Sequence, residues 1–189
     1  MKKIVIFASG SGSNAEQIIN HFRLHRFVKV ACVLSNNANA KVLQIAANNN
    51  IDTIIFDKQQ FETGYVLKKL QNIDPDLIVL AGFLLKFPIL IINEFKDKVV
   101  NIHPALLPKY GGKGMYGMHV HTAVLQNNES VSGITIHHVN EHYDEGAYLF
   151  QKSIAITDCQ SAQEIAVKIL QLEHLHYANE IEKLLNLVL

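Results

Sequence analysis

Short runs rich in β-branched residues alternate along this chain with longer segments of mixed polarity. Runs of the first kind form strands, and their alternation with helical segments is typical of βαβ units, in which successive strands lie parallel. We therefore predict an α/β fold in which helices flank a mostly parallel central sheet. The predicted strands are residues 3–8, 28–34, 53–56, 77–80, 99–102, 133–137 and 148–156.

Helices are predicted at residues 14–24, 40–49, 61–72, 88–94, 119–126 and 161–185. The last is the clearest, because apolar and other core-facing residues recur in it at near-helical spacing while charged residues can occupy the wetter faces. These residues are Ile165, Ile169, Leu172, His176 and Ile181. We expect this helix to cover the sheet. No linker rich in Pro, Gly or Ser divides the 189 residues, and their number is near the usual size of one domain. Residues 1–189 are therefore predicted to form a single domain.

The composition argues against membrane and nucleic-acid partners. Hydrophobic residues make up 49% of the chain, but no run approaches the roughly 18 uninterrupted apolar residues of a membrane helix. The apolar run at residues 4–8 is too short for a secretory signal, so we expect a cytoplasmic protein. Seventeen basic and seventeen acidic side chains cancel, which leaves no global field to attract nucleic acid. The expected partners are small-molecule substrates, with the chain a monomer or a homodimer.

Histidine and cysteine do not form a metal-binding pattern. The chain has ten histidines and two cysteines. Neither the spaced pair His119 and His121 nor the adjacent pair His137 and His138 closes a site without a third ligand. The two cysteines have no paired spacing and are predicted to be structural thiols. We expect no metal.

The segment from Asn101 to Pro108 follows a predicted strand and has the composition of an active-site loop. If the extended conformation persists, Asn101 and His103 project the same way. An amide that donates to a carbonyl oxygen, beside an imidazole that transfers a proton near neutral pH, suits acyl transfer. Pro104 and Pro108 hold the loop without regular structure. The alternative is a polar turn at the end of a strand.

Asp144 lies in a polar turn after the predicted strand 133–137, just before Gly146. If this carboxylate folds beside His103, it favours the imidazolium, so we expect it to raise the pKa of His103. The alternative is a solvated turn aspartate.

The segment from Ser9 to Asn14 lies between the first strand and the first helix and contains two glycines. Small residues let the backbone approach an anion there, and the helix N-terminus offers unpaired N–H groups. The segment lacks the third glycine of the dinucleotide motif and the lysine of a P-loop, so a mononucleotide-like phosphate fits better than NAD or ATP. A tight βα turn with a helix cap is the plainer interpretation.

Together these motifs make the chain resemble the glycinamide ribonucleotide formyltransferases, the folate-dependent enzymes of purine synthesis. The resemblance extends over nearly the whole chain and includes a final Glu173-His174 pair. The residues that carry it are Ser9-Gly10-Ser11-Gly12-Ser13-Asn14, Leu80-Ala81-Gly82-Phe83, Asn101-Ile102-His103-Pro104-Ala105-Leu106-Leu107-Pro108-Lys109-Tyr110, and His137 with Val139 and Asp144.

The resemblance implies a Rossmann-like formyltransferase fold. It also implies transfer of a formyl group from 10-formyltetrahydrofolate, as co-substrate, to the amine of 5'-phosphoribosylglycinamide. Asn101, His103 and Asp144 would be catalytic and His137 would support the Asp144 loop. The implied binding residues for phosphoribosylglycinamide are Gly12, Ser13, Asn14 and Glu173, and those for the folate are Leu84, Leu85, Lys86, Phe87, Asn101, Asn140, Glu141 and Asp144.

Two segments depart from the family pattern. Leu85-Lys86 stands where family members carry an arginine, and Lys86 could replace that charge. Residues 111–118 form a longer loop, in which Lys113 either contacts an anionic ligand or belongs to a surface insertion. His119 and His121, beyond this loop, are predicted to start and pack a helix. The alternative functions are another 10-formyltetrahydrofolate-dependent formyltransferase or hydrolase, and a non-catalytic nucleotide-binding module.

Overall fold

The computed structural model describes residues 1–186 and contains one seven-stranded sheet. Its order is β3-β2-β1-β4-β5-β6-β7; the strands β1 to β5 pair in parallel, and β6 pairs antiparallel with β5 and β7. All seven predicted strands are confirmed. Their bounds are β1 Lys2–Phe7, β2 Val28–Ser35, β3 Asp52–Ile55, β4 Leu77–Leu80, β5 Val99–His103, β6 Val131–His138 and β7 Tyr148–Ala155.

The described part of the chain contains seven helices, six in connections between strands and the seventh after β7. They are α1 Ser13–Phe22, α2 Lys41–Asn48, α3 Lys58–Glu62, α4 Tyr65–Ile73, α5 Ile89–Glu94, α6 Met118–Gln126 and α7 Ala162–Asn186. Among residues 1–186, no helix combines the length and the apolar character needed to cross a bilayer. The predicted single domain includes residues 187–189, which lie outside the described residues.

The prediction of one helix at residues 61–72 is wrong, because two helices meet there. α3 begins with a capping box, in which the Asp57 carboxylate accepts from the Gln60 N–H at 2.7 Å and the Gln60 side chain accepts from the Asp57 N–H. The chain then turns at Gly64, whose φ of 92° is left-handed, and α4 starts. The apolar pattern continues across the break because both helices bury apolar side chains in one cluster, so periodicity alone did not reveal it.

Two apolar layers enclose the sheet. Ile4 and Ile6 of β1 belong to the layer that also contains buried residues of α1, α6 and α7, while Val5 and Phe7 belong to the layer with α4 and α5. Because both faces of β1 are covered, its residues 4–7 are all buried and read as a continuous apolar run rather than an alternating one. As predicted, Ile165, Ile169, Leu172 and Ile181 of α7 are buried and α7 packs against β6, whereas His176 of the same predicted set is only partly buried.

The strand order places three loops at one edge of the sheet. The chain leaves β1 toward β2 on one side, whereas β4 and β5 lie on the other, and ligands bind at such a switch point, outside the carboxyl ends of the strands. The loops after β1 and β4 touch there, since the Ser9 N–H donates to the Gly82 carbonyl at 3.1 Å and the Ser9 hydroxyl accepts from the Leu84 N–H at 3.0 Å. The loop after β5 begins at the same edge.

Candidate active site

A cleft of about 560 Å³ opens at this edge of the sheet. The loops after β1, β4, β5 and β6 line it, together with residues of α6 and α7. Two of the predicted site residues, Gly12 and Glu141, are not among those that line it, and Glu141 is exposed. The predicted residues that line the cleft are Ser13, Asn14, Leu84, Leu85, Lys86, Phe87, Asn101, His103, His137, Asn140, Asp144 and Glu173.

His103, the last residue of β5, is almost fully buried, and both of its ring nitrogens have neighbours. Nε2 lies 2.7 Å from the Tyr110 carbonyl oxygen, and Nδ1 lies 3.5 Å from Oδ2 of Asp144. A carbonyl oxygen can only accept, so Nε2 carries a proton in the neutral ring as well as in the charged one. Nδ1 is therefore the ring nitrogen that gains or loses the exchangeable proton.

The net pKa shift of His103 is opposite to the one expected from the sequence. Burial lowers the pKa of His103 below its usual value, and this effect is the largest. The Asp144 carboxylate and the Tyr110 carbonyl act in the predicted, raising direction but do not outweigh it, and His137 adds to the lowering. The resting ring is therefore neutral near pH 7, with Nδ1 free to accept a proton.

The pKa of Asp144 lies below its usual value, although burial alone raises it. The neighbouring His137, whose Nε2 lies 3.6 Å from Oδ1, the charge of His103 and the Gly112 N–H, which donates to Oδ2 at 2.9 Å, together outweigh that burial. The residue sits in a tight turn: its φ is 58°, and a Cβ on Gly146 would collide with the His138 carbonyl. The turn folds the β6–β7 loop back over β5, so the carboxylate stays ionised beside His103.

Asn101 is oriented by a short chain of hydrogen bonds. His137 Nδ1 lies 2.8 Å from the His138 carbonyl oxygen, so Nδ1 is the donor, and in the tautomer with its proton on Nδ1 the ring has a lone pair at Nε2. That lone pair lies 3.2 Å from Nδ2 of Asn101 and accepts one of its hydrogens. The second hydrogen on Nδ2 remains for a ligand in the cleft. His137, predicted to support the Asp144 loop, also lies beside that loop, with Nε2 3.6 Å from Oδ1 of Asp144.

The far end of the cleft contains a buried acidic group. The Glu173 carboxylate on α7 accepts a hydrogen bond from the Asn14 side chain at 2.7 Å, and both residues are buried. Burial raises the pKa of Glu173 to about 7. Oδ1 of Asn14 is also buried and has no partner among the described residues. An orphaned acceptor beside a buried carboxyl matches a ligand that brings hydrogen-bond donors.

Gly12 precedes α1 and does not line the cleft, but it lets the loop after β1 take its shape. Its φ is 75°, and an added Cβ would lie 2.6 Å from Cβ of Val42. Only glycine therefore fits between this turn and α2 without strain. The tight turn places Ser13 and Asn14, which line the cleft, at the start of α1, where the first backbone N–H groups of a helix have no partner within the helix.

The loop after β4 forms the apolar wall of the cleft. Phe83 and Phe87 pack edge to face against Phe7 at ring distances of 5.3 and 5.2 Å, which ties the loop to the core. Nζ of Lys86 lies 5.7 Å from the Tyr143 ring, so the exposed lysine spans the mouth of the cleft toward the β6–β7 loop. The predicted folate residues 84–87 therefore line one wall.

The 111–118 loop contributes more to the cleft than sequence reasoning indicated. Gly112, Gly114, Met115, Tyr116, Gly117 and Met118 line it, whereas Lys113 is exposed and does not. Sequence reasoning also missed the Tyr110 carbonyl, because a backbone acceptor leaves no residue signature, and it treated His121 as a packing residue. His121 is buried and lines the cleft.

Neither metal nor thiol chemistry is indicated by the described residues. Within residues 1–186, no group of three or more His, Cys, Asp or Glu side chains could hold a metal ion. Cys32 is buried outside the cleft lining, and burial raises the pKa of its thiol to about 12. A thiol of that kind is inert, in agreement with its prediction as structural.

Comparisons with known proteins agree with this arrangement. The formyl transferase family matches residues 2–181. The chain is similar to a chloroplastic phosphoribosylglycinamide formyltransferase of Vigna unguiculata, with 38% identity over 97% of this chain and 61% of that protein. Its similarity to the Bacillus subtilis (strain 168) phosphoribosylglycinamide formyltransferase is 31% identity over 99% of this chain and 96% of that protein.

Solved structures similar to this chain are also phosphoribosylglycinamide formyltransferases. A crystal structure of phosphoribosylglycinamide formyltransferase from Anaplasma phagocytophilum superposes with a TM-score of 0.89 at 28% identity, over 98% of this chain and 87% of that one. The corresponding Bacillus halodurans structure has a TM-score of 0.88 at 30% identity, over 97% and 95%. This chain spans 61% and 63% of the length of the chloroplastic proteins of Vigna unguiculata and Arabidopsis thaliana.

Proposed function

Because the chain belongs to the formyl transferase family, as its sequence resemblance predicted, we propose that it transfers a formyl group from 10-formyltetrahydrofolate to the amine of 5'-phosphoribosylglycinamide. This reaction belongs to purine synthesis, and the proposal takes its substrates from the names of the similar proteins and from the folate resemblance. Its main structural support is the convergence of Asn101, His103 and Asp144 in one cleft. A binding module would not need all three.

Asn101 and His103 would act on the formyl group. Attack by the amine on the formyl carbon turns the carbonyl oxygen into an oxyanion, and the free hydrogen on Asn101 Nδ2 is available to stabilise it. The attacking nitrogen becomes positively charged in the same step. Nδ1 of the neutral His103 ring accepts its proton, and the imidazolium that forms adds a positive charge beside the oxyanion.

Asp144 would stabilise that imidazolium. Its carboxylate is ionised and lies 3.5 Å from Nδ1, so charge forms on the ring beside a fixed negative partner. His103 then returns the proton to the folate nitrogen as the carbon–nitrogen bond to the donor breaks. One proton moves from the acceptor amine to the departing nitrogen, and no covalent bond to the protein is required.

The two ends of the cleft would hold the two substrates. The start of α1, with Ser13 and Asn14, suits the phosphate, and the Asn14–Glu173 pair suits the donor-rich amine end of the acceptor. The apolar wall formed by the loop after β4 suits the pterin ring. Gly12 would act by shaping the first site. Asn140 lines the cleft near the folate wall, whereas Glu141 is exposed and has less support as a folate contact.

A transfer assay tests this proposal. Purified protein is incubated with glycinamide ribonucleotide and 10-formyltetrahydrofolate, while folate absorbance and the mass of the formylated product are followed. We expect product from the wild type and a loss of about 10² to 10⁴ in kcat/KM for His103→Ala. His119→Ala is the matched control, because His119 is exposed and does not line the cleft; it should keep wild-type turnover.

Other outcomes would contradict the proposal in distinct ways. Folate turnover without formylated product indicates a hydrolase, and transfer only to a different amine indicates another formyltransferase. Ligand binding without turnover indicates the nucleotide-binding module. Normal turnover by His103→Ala refutes the catalytic assignment alone.

A further inference from the structure

His121 is a second imidazole in the cleft and has no role in the mechanism above. It lies on α6 and is only 6% exposed, yet its ring lines the cleft. The cleft lining also includes Ala166, Ile169 and Glu173 of α7, which packs against α6. His121 is also close enough to His103 for the two ring charges to interact. The ring therefore lies near the reacting centre, on a helix that packs against the helix of Glu173.

The surroundings of His121 indicate which nitrogen carries its proton. Nδ1 is completely shielded and has no hydrogen-bond partner among the described residues. A buried N–H without an acceptor is rarer in proteins than a buried acceptor without a donor, so the proton is disfavoured on Nδ1. In the neutral ring it then lies on Nε2. Because the ring lines the cleft and Nδ1 is the shielded nitrogen, the Nε2–H faces the cleft.

The charge state of the ring is set by its environment. Burial lowers the pKa of His121, and the neighbouring His103 lowers it further. The ring is consequently neutral during turnover near pH 7 and does not compete with His103 for the transferred proton. A neutral imidazole with one exposed N–H is a directed hydrogen-bond donor.

We propose that His121 is a substrate-positioning residue, whose Nε2–H donates a hydrogen bond to the amide carbonyl oxygen of the acceptor. This inference rests on the proposed function. In glycinamide ribonucleotide that oxygen is two bonds from the carbon that bears the amine, so a donor in the cleft near His103 would hold the amine toward the formyl carbon. The bond exists in the substrate and in the transition state alike, and therefore acts mainly on acceptor binding.

Two amide substitutions separate this role from packing. The side-chain nitrogen of Gln reaches about as far as Nε2 of His, whereas that of Asn ends near the position of Nδ1. His121→Gln therefore keeps a donor at the cleft and His121→Asn withdraws it, although both replace the ring by an amide. His119→Gln is the matched control on the same helix, since His119 is exposed and outside the cleft lining.

The measurements are kcat and KM for each substrate, binding of glycinamide ribonucleotide by calorimetry, and thermal unfolding. We expect His121→Asn to weaken acceptor binding and lower kcat/KM by about 10- to 100-fold, as a lost buried hydrogen bond does. The KM for the folate should be unchanged, and His121→Gln should recover most of the loss. His119→Gln should match the wild type.

An acceptor analogue with a methylene in place of the amide carbonyl identifies the bonded oxygen. With this analogue, wild type and His121→Asn should bind equally. If His121→Asn binds the natural acceptor as the wild type does, or if its loss persists with the analogue, the inference is wrong. If His121→Asn unfolds, His121→Gln still decides, because equal losses in His121→Gln and a folded His121→Leu would indicate packing. Absence of transfer by the wild type itself would refute the proposed function, while the calorimetric comparison would still test the contact.

Discussion

Glu173 couples the folding stability of this protein to pH through one buried carboxyl group. Burial raises its pKa from the ordinary 4.5 to about 7, and the side chain is only 8% exposed. The folded protein therefore binds a proton at this site more tightly than the unfolded chain. The stabilising effect of that proton is fully present below pH 4.5 and is lost as the pH rises through 7. Replacing Glu173 by Gln removes this titration.

The size of the effect follows from the shift. A difference of about 2.5 pKa units corresponds to about 3 kcal/mol, since each unit is worth about 1.4 kcal/mol. Most of it develops between pH 5 and pH 8.5. The hydrogen bond from Asn14 survives in Glu173→Gln, because the amide oxygen still accepts. From pH 5 to pH 8.5, the stability of Glu173→Gln should therefore rise by about 2 to 3 kcal/mol relative to the wild type.

Urea unfolding of both proteins at the two pH values measures this change. Other titrating groups are common to both proteins, so their contributions cancel in the difference. Glu62→Gln is the matched control, because Glu62 is exposed on α3, and its difference from the wild type should stay constant. A Glu173→Gln difference that changes by less than about 0.5 kcal/mol would show that Glu173 is not held neutral by burial.

Three further perturbations test the supports of the cleft. Thr135→Val removes a buried hydroxyl that donates to the Ala105 carbonyl at 2.7 Å and accepts from the Leu107 N–H at 3.0 Å. We expect the free energy of unfolding, measured in urea, to fall by about 2 to 3 kcal/mol and kcat to fall as well. Unchanged values would show that the loop after β5 keeps its shape without this hydroxyl. Gly12 has a φ of 75°, and a Cβ added there would lie 2.6 Å from Val42, whereas a Cβ added to Gly64 meets nothing within 4 Å. Gly12→Ala should therefore lower the thermal stability more than Gly64→Ala does. Equal thermal stability of the two variants would contradict the expected collision with Val42. In the pH profile of kcat/KM, the midpoint on the acid side should lie below pH 6.5, because burial lowers the pKa of His103. Asp144→Asn should move this midpoint lower still, because the carboxylate raises that pKa. A midpoint above pH 6.5 would mean that the carboxylate raises the pKa of His103 by more than burial lowers it.

The sequence alone predicted the local features of the chain. The residue pattern of a strand depends only on neighbouring residues, and all seven strands were predicted correctly. The helix that covers the sheet, α7, was predicted for the same reason. Asn101 and His103 lie two residues apart on one strand, and that spacing alone places both on one side of it. The helix predicted at residues 61–72 failed because apolar spacing continues through Gly64, although the backbone turns there.

The arrangement of groups from distant parts of the chain depends on packing and left no local signal. The neutral state of His103 results from burial, and the amount of burial is known only when the cleft is closed around it. Only the folded structure shows three further features of the cleft. They are the contact of the Tyr110 carbonyl with His103, the hydrogen bond from the Gly112 N–H to Asp144, and the shielded Nδ1 of His121. Backbone periodicity and residue type act over a few residues, whereas solvation and charge act through space between segments that only the folded chain brings together.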